Sequence, residues 1–192
     1  MSGATDPSAS LPVLDGDTTV FVDRDGVINE RIVGDYVRTR AQFVLLPDAL
    51  TGLRMLADHA GLVIVVTNQA GVGRGLIDPA ELERIHELLV RNVQEAGGRI
   101  DAIMVCPHGK DAGCDCRKPG TGLARQAAAR FSRLDLARAV MIGDSSGDIA
   151  FAHALGIPSV LVTGTGGEGS GDDGPTATAP DLLAAAHLLL DH

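Results

Sequence analysis

Short apolar runs alternate along the chain with amphipathic stretches. Thr18 to Val22 is a β-branched and aromatic run that stops in a polar cluster, as a strand does. Leu62 to Val66 is apolar throughout, as expected of a parallel strand covered on both faces. Ile100 to Val105, Ala139 to Ile142 and Ser159 to Val162 predict three further strands. Leu50, Leu53, Met55, Leu56 and Ala57 fall at helical spacing over Pro47 to His59, with Pro47 suited to the start and Gly61 to the end. Asp78 predicts an N-cap, and Glu81 three residues later completes the capping-box pattern. Leu82, Ile85, Leu88 and Leu89 then form the stripe of a helix reaching about Ala96, stopped by Gly97 and Gly98. More helices are predicted over Thr121 to Phe131, Asp148 to Leu155 and Pro180 to Leu190, whereas Arg31 to Phe43 has no clear period and reads as a loop. Strands alternating with helices predict an α/β class protein with a three-layer, Rossmann-like parallel sheet and helices on both faces. Three of the strands end in polar signatures, which meet at the sheet edge where such folds bind ligands.

The 192 residues are 45% hydrophobic, consistent with one domain over 18–192 preceded by a flexible tail over 1–17. There is no tryptophan, so the core must rest on Ala, Val, Leu and Ile. A formal charge of −9 argues against nucleic acid or an anionic membrane as the main partner. It does not oppose a phosphorylated small molecule, because local field and metal outweigh net charge there. No apolar run reaches transmembrane length, and Met1 to Asp17 lacks the basic start and apolar core of a signal peptide, so a cytoplasmic protein is expected.

The candidate chemistry begins at Asp23-Arg24-Asp25-Gly26. Residues two apart on an extended chain point the same way, so both carboxylates can face one site. Their repulsion calls for a cation or a shared proton, although a turn that merely ends the strand is the other reading. Cys106, His108, Cys114 and Cys116 use all three cysteines within eleven residues and form a closed four-ligand set, the usual structural zinc site. Three cysteines cannot all pair in disulfides. A rigid metal loop there would aim Arg117 and Lys118, which follow it directly; otherwise they are a solvated basic pair. Gly143-Asp144-Ser145-Ser146-Gly147-Asp148 puts two more carboxylates at a strand end, where Asp144 or Ser145 caps a helix or Asp144 is a hard oxygen ligand for Mg²⁺. Gly164 to Gly169 matches a dinucleotide-binding glycine pattern, but no apolar helix follows it, so a mobile loop is the better reading. Gly71 to Gly75 reads as a flexible turn able to present Arg74 to an anion.

Asp23-x-Asp25-Gly26-Val27, Thr67-Asn68, Lys118-Pro119 and Gly143-Asp144-x-x-x-Asp148 resemble, in order, the four signature motifs of haloacid-dehalogenase-like phosphatases, over Val20 to Val162. Asp23 to Asn29, Thr67 to Gly75 and the Cys106 to Pro119 block are similar to the D-glycero-D-manno-heptose 1,7-bisphosphate 7-phosphatase family, whose subgroup includes histidinol-phosphate phosphatases. The resemblance implies Asp23 as nucleophile, Asp25 as general acid and base, and Thr67 and Lys118 as phosphoryl-oxygen ligands. It also implies Mg²⁺ on Asp23, Asp144 and the Asp25 carbonyl, with Asp148 in support, and no large cap domain. Substrate contacts are implied at Arg31, Ile32, Val33, Gly34, Asn68, Gln69, Ala70 and Arg117, and the charge of Arg74 adds another. The partner implied is a small phosphorylated sugar met by a monomer. Two departures stand out. Ser145 replaces a lysine common in relatives, and only five residues separate His108 from Cys114, a spacing seen in the histidinol-phosphate type. That spacing keeps histidinol phosphate as the alternative substrate. A non-catalytic zinc-stabilised binding protein is the distant alternative, since it would not require the full aspartate, threonine and lysine set.

Overall fold

The structure is a computed structural model and describes residues 10–164 and 174–191. Six strands form one parallel sheet: β1 (Thr19–Val22), β2 (Leu62–Asn68), β3 (Ala102–Cys106), β4 (Ala139–Gly143), β5 (Ser159–Val162) and β6 (Ala177–Ala179). Their order is β3-β2-β1-β4-β5-β6, so the chain builds outward from β1 on one side and returns to β1's other edge with β4. The reversal between β1 and β4 is the topological switch point, where the loops part and leave a crevice.

The strands are buried on both faces, and alternate residues serve different cores. Val20, Val22, Val63, Val65, Val140 and Ile142 pack under α1 (Ala49–His59), α3 (Pro79–Glu95) and α6 (Leu182–Leu190). Phe21, Ile64, Val66 and Met141 face α4 (Gly122–Arg130) and α5 (Ser146–Leu155). Phe21 meets Phe151 of α5 edge to face, with ring centroids 6.0 Å apart. These are the only fully buried phenylalanines among the described residues, and burying each side chain stabilises by about 2 kcal/mol. The aliphatic remainder bears out the expectation drawn from the scarcity of aromatics.

Several local readings need correction. Within the expected tail Leu14 is buried, its N–H donates to Leu189 O at 3.3 Å, and Asp15 pairs with Arg138. Gly71 to Gly75 is not a loose turn. Ala70–Gly73 forms a helical turn, α2, with Ala70 and Gly71 buried. The box at α3 does not close, because Asp78 accepts from Ala80 N while Glu81 turns to Arg40 and Arg84. β6 has only three residues, too few for a readable period. The glycine pattern from Thr165 to Gly169 lies outside the described residues. No helix among the described residues is long and apolar enough to cross a membrane.

Candidate active site

β1 delivers Asp23 to the switch point. The Asp23 N–H donates to Ile142 O at 2.9 Å, extending the β1–β4 ladder by one bond and fixing Asp23 beside the end of β4, where Asp144 emerges. The chain then turns at Gly26, which has φ +93° and no room for a side chain: a Cβ there would lie 2.0 Å from Asp144 Oδ2. Backbone and carboxylate touch only because the residue is glycine.

Lys118 reaches the same point from the loop after β3. Its Nζ donates to Asp23 Oδ1 at 2.7 Å and Val66 O at 2.6 Å, and pairs with Asp148 Oδ1 at 2.6 Å. Its backbone is clamped by Asn68 of β2, whose Oδ1 accepts from Lys118 N at 3.0 Å and whose Nδ2 donates to Lys118 O at 3.2 Å. Asp148 is oriented by the start of α5, since its Oδ2 accepts from Ser145 Oγ at 2.6 Å and Ser145 N at 3.1 Å. One carboxylate thus both caps the start of α5 and pairs with the lysine.

Charge does not balance here. Oxygens of Asp23, Asp144 and Asp148 lie within 4.8 Å of one another, against one buried ammonium. Burial raises the Asp23 carboxyl, Lys118 pulls it back, and Asp148 and Asp144 push it up again, to about 7. Burial and then Asp148 raise Asp144 too, despite Arg31 Nη1 at 3.2 Å. Lys118 is raised, against its own burial, by Asp148 first and Asp23 second. Both partners of the Lys118–Asp23 contact are therefore raised, which favours the charged form of the lysine and disfavours that of the aspartate. The resolution is that the lysine's charge is matched mainly by Asp148, leaving Asp23 and Asp144 short of a cation. Hard oxygen donors with unmatched negative charge suit Mg²⁺.

Asp25 sits apart from that cluster. Arg24 Nη2 donates to both its oxygens at 2.9 Å, Asn29 Nδ2 to Oδ1 at 2.9 Å and Gln69 Nε2 to Oδ2 at 2.7 Å. Burial works to raise the carboxyl, but Arg24 and these hydrogen bonds together hold it below the ordinary carboxylate range. The side-chain cluster suited to a cation is accordingly Asp23, Asp144 and Asp148, without the Asp25 side chain.

These groups border a cleft of about 320 Å³. Of the residues expected from sequence, Asp23, Asp25, Arg31, Ile32, Gly34, Thr67, Asn68, Arg74, Arg117, Lys118 and Asp144 border it. Val33, Gln69 and Ala70 do not: Val33 is 91% exposed, Gln69 is spent on Asp25 and on Thr67 Oγ1 at 2.8 Å, and Ala70 is buried. Asp148 is wholly buried beneath Lys118. Asp35, Tyr36, Val37, Lys110 and Ser145 border the cleft without having been singled out for it. Tyr36 is placed by Arg74, 6.0 Å above its ring. Lys110 arrives on the cysteine loop, and only its neighbours' metal-ligand spacing hinted that it would be held there. Arg117 Nη1 is buried with no hydrogen-bond partner, a donor left for an anion.

Cys106, His108, Cys114 and Cys116 come together as expected. Cys106 Sγ lies 3.6 Å from Cys114 Sγ and 3.7 Å from His108 Nδ1, and His108 Nδ1 lies 3.2 Å from Cys116 Sγ. The edges of a tetrahedron built on zinc–ligand bonds are about 3.5 to 3.8 Å. Burial and the neighbouring thiols push Cys116 up to about 12, so a thiolate at that position calls for a cation beside it. The loop abuts α2, where Gly73 N donates to Pro107 O at 2.8 Å and a Cβ on Gly73 would lie 2.8 Å from that oxygen.

A HAD-hydrolase-like family model matches residues 115–188. The chain is 40% identical over 174 residues to D-glycero-beta-D-manno-heptose-1,7-bisphosphate 7-phosphatase of Pseudomonas aeruginosa, covering 89% of this chain and 97% of that one. It is 42% identical over 134 residues to D-glycero-alpha-D-manno-heptose-1,7-bisphosphate 7-phosphatase of Mycobacterium tuberculosis, covering 70% of each. The crystal structure of D,D-heptose 1,7-bisphosphate phosphatase from Bordetella bronchiseptica with magnesium and phosphate superposes with a TM-score of 0.80 at 36% identity, covering 91% of this chain and 98% of that one.

Proposed function

The chain belongs to the haloacid-dehalogenase-like family of D-glycero-D-manno-heptose 1,7-bisphosphate 7-phosphatases, and we propose that it removes the C7 phosphate of that sugar in nucleotide-activated heptose biosynthesis. The observation that carries the reading is Asp23 held against Lys118 on the floor of a cleft whose rim is cationic.

Asp23 attacks phosphorus, forming an aspartyl-phosphate as the bond to the sugar oxygen breaks. Thr67 and Lys118 hold the phosphoryl oxygens in the orientation for in-line attack. Asp25 gives its proton to the leaving alkoxide, which departs poorly without one. Its carboxyl is held ionised in the free site, and the phosphate dianion entering beside it raises its affinity for a proton. Asp25 then takes a proton from the water that attacks the phosphoenzyme, and inorganic phosphate leaves with Asp23 restored. Asp23, Asp144 and the Asp25 backbone carbonyl would hold Mg²⁺, which when bound supplies the charge that offsets repulsion between Asp23 and the phosphate. Arg117, Arg74 and Lys110 are the partners for the second phosphate, and the unpartnered Arg117 Nη1 supports a bisphosphate over a monophosphate. Zinc on Cys106, His108, Cys114 and Cys116 is structural, since four protein ligands leave no open position. We read the enzyme as a cytoplasmic monomer.

Phosphate release with Mg²⁺ from the α and β anomers of heptose 1,7-bisphosphate and from histidinol phosphate tests this. A heptose anomer should give the highest kcat/KM, with turnover abolished by Asp23→Asn. A preference for histidinol phosphate would overturn the substrate, and turnover surviving Asp23→Asn would overturn the mechanism.

A further inference from the structure

Arg24 is the bulkiest of the fully buried side chains among the described residues, and no step above uses it. A buried guanidinium is costly to desolvate, and well-packed apolar residues often stabilise a fold as well or better, so stability is a weak reason for an arginine here. Its donors instead converge on one carboxylate. Nη2 reaches both oxygens of Asp25 at 2.9 Å and Nε reaches Oδ1 at 3.3 Å. On its far side Nη1 meets Nε2 of His86, from α3, at 3.0 Å. A guanidinium can only donate, so His86 Nε2 accepts and the imidazole is neutral. Burial and then the Arg24 charge push His86 down to about 3, in agreement. Gln69 and Asn29 hold the opposite flank of the carboxylate.

We propose that Arg24, braced from behind by His86, is a positioning residue that fixes the Asp25 carboxylate for proton transfer, and that His86 acts on catalysis through it. This rests on the phosphatase reading, in which Asp25 protonates the leaving group. A misplaced acid harms esters of poor leaving groups and spares those whose leaving group departs as an anion. A general loosening of the fold harms both.

The test compares kcat/KM, with Mg²⁺, for heptose 1,7-bisphosphate and for p-nitrophenyl phosphate. His86→Leu should lower the alkyl-to-aryl ratio by about tenfold to a hundredfold, the scale of a misplaced catalytic group. His86→Gln, whose Oε1 can accept from Arg24, should recover most of the loss. Arg24→Lys keeps the buried charge but loses the two-pronged contact, so it should lower the ratio even if His86→Leu proves too unstable to assay. An unchanged ratio in His86→Leu or Arg24→Lys, or an equal fall for both esters, overturns the proposal. No phosphate release by the unmodified protein from either ester would instead overturn the phosphatase reading beneath it.

Discussion

The Lys118 ammonium stands 2.6 Å from the Asp148 carboxylate, both side chains almost wholly removed from water, and their pairing leaves Asp23 and Asp144 with negative charge that no buried group matches. Two substitutions in this cluster should move stability in opposite directions.

Lys118→Met removes the one buried ammonium among three carboxylates. At pH 8 without Mg²⁺ it should lower unfolding free energy by about 3 kcal/mol, the cost of breaking a buried pair. The loss should shrink toward pH 5 as the carboxylates take up protons. Urea denaturation at both values checks it, and equal stability of the two proteins at pH 8 would show that the lysine is not what offsets the carboxylates.

Asp23→Asn should do the reverse. Its carboxyl titrates near 7 in the folded protein and near 4 in an unfolded chain, so the folded state keeps a proton that the unfolded state has released. The metal-free protein therefore loses stability as pH rises from about 4 to 7, and the asparagine does not. At pH 8 the variant should be the more stable by on the order of 1 to 3 kcal/mol, with the gap closing toward pH 4.5, while turnover falls by about four orders of magnitude or more. A gap that ignores pH would exclude the Asp23 carboxyl as its source.

Gly26→Ala puts a methyl 2.0 Å from Asp144 Oδ2 at a backbone φ of +93°. Strain of about 2 kcal/mol and displacement of Asp144 should follow, with Mg²⁺ affinity falling at least about tenfold. Calorimetric titration with Mg²⁺ and thermal melting measure the two effects, and unchanged affinity would remove Asp144 from the proposed metal ligands.

Zinc should be present at about one equivalent in protein purified without added metal. Stripping it with a strong chelator should lower the melting temperature by roughly 10 °C and reduce activity. The loss of activity is expected because the loop carries Arg117 and Lys118 and holds α2 through Pro107 O and Gly73 N. Well-folded, fully active protein with no zinc would contradict a structural metal.

Much of this molecule was legible in one dimension because it is set by neighbours in the chain. Ser159–Val162 was bounded to the residue, and most other strands and helices to within two, since burial on both faces demands continuous apolar runs and a helix needs its stripe. The clustering of Cys106, His108, Cys114 and Cys116 could be read because the four-residue set is complete within eleven residues. Three-residue β6 and four-residue α2 were hidden because they form through packing and not through period.

The site itself needed the third dimension. Sequence supplied Asp23, Asp25, Lys118, Asp144 and Asp148, yet only the strand order brings β4 against β1 and so sets Asp144 beside Asp23. Sequence spacing suggested that Asp23 and Asp25 share a cation. In the fold Arg24, Asn29 and Gln69 turn the Asp25 carboxylate to another task. The Arg24–His86 contact spans sixty-two positions and Lys118–Asp23 ninety-five. Local pattern decides what each segment becomes, because propensity and periodicity act over a few residues. Which charges meet, and which remain unmatched, is decided by parallel pairing between distant strands.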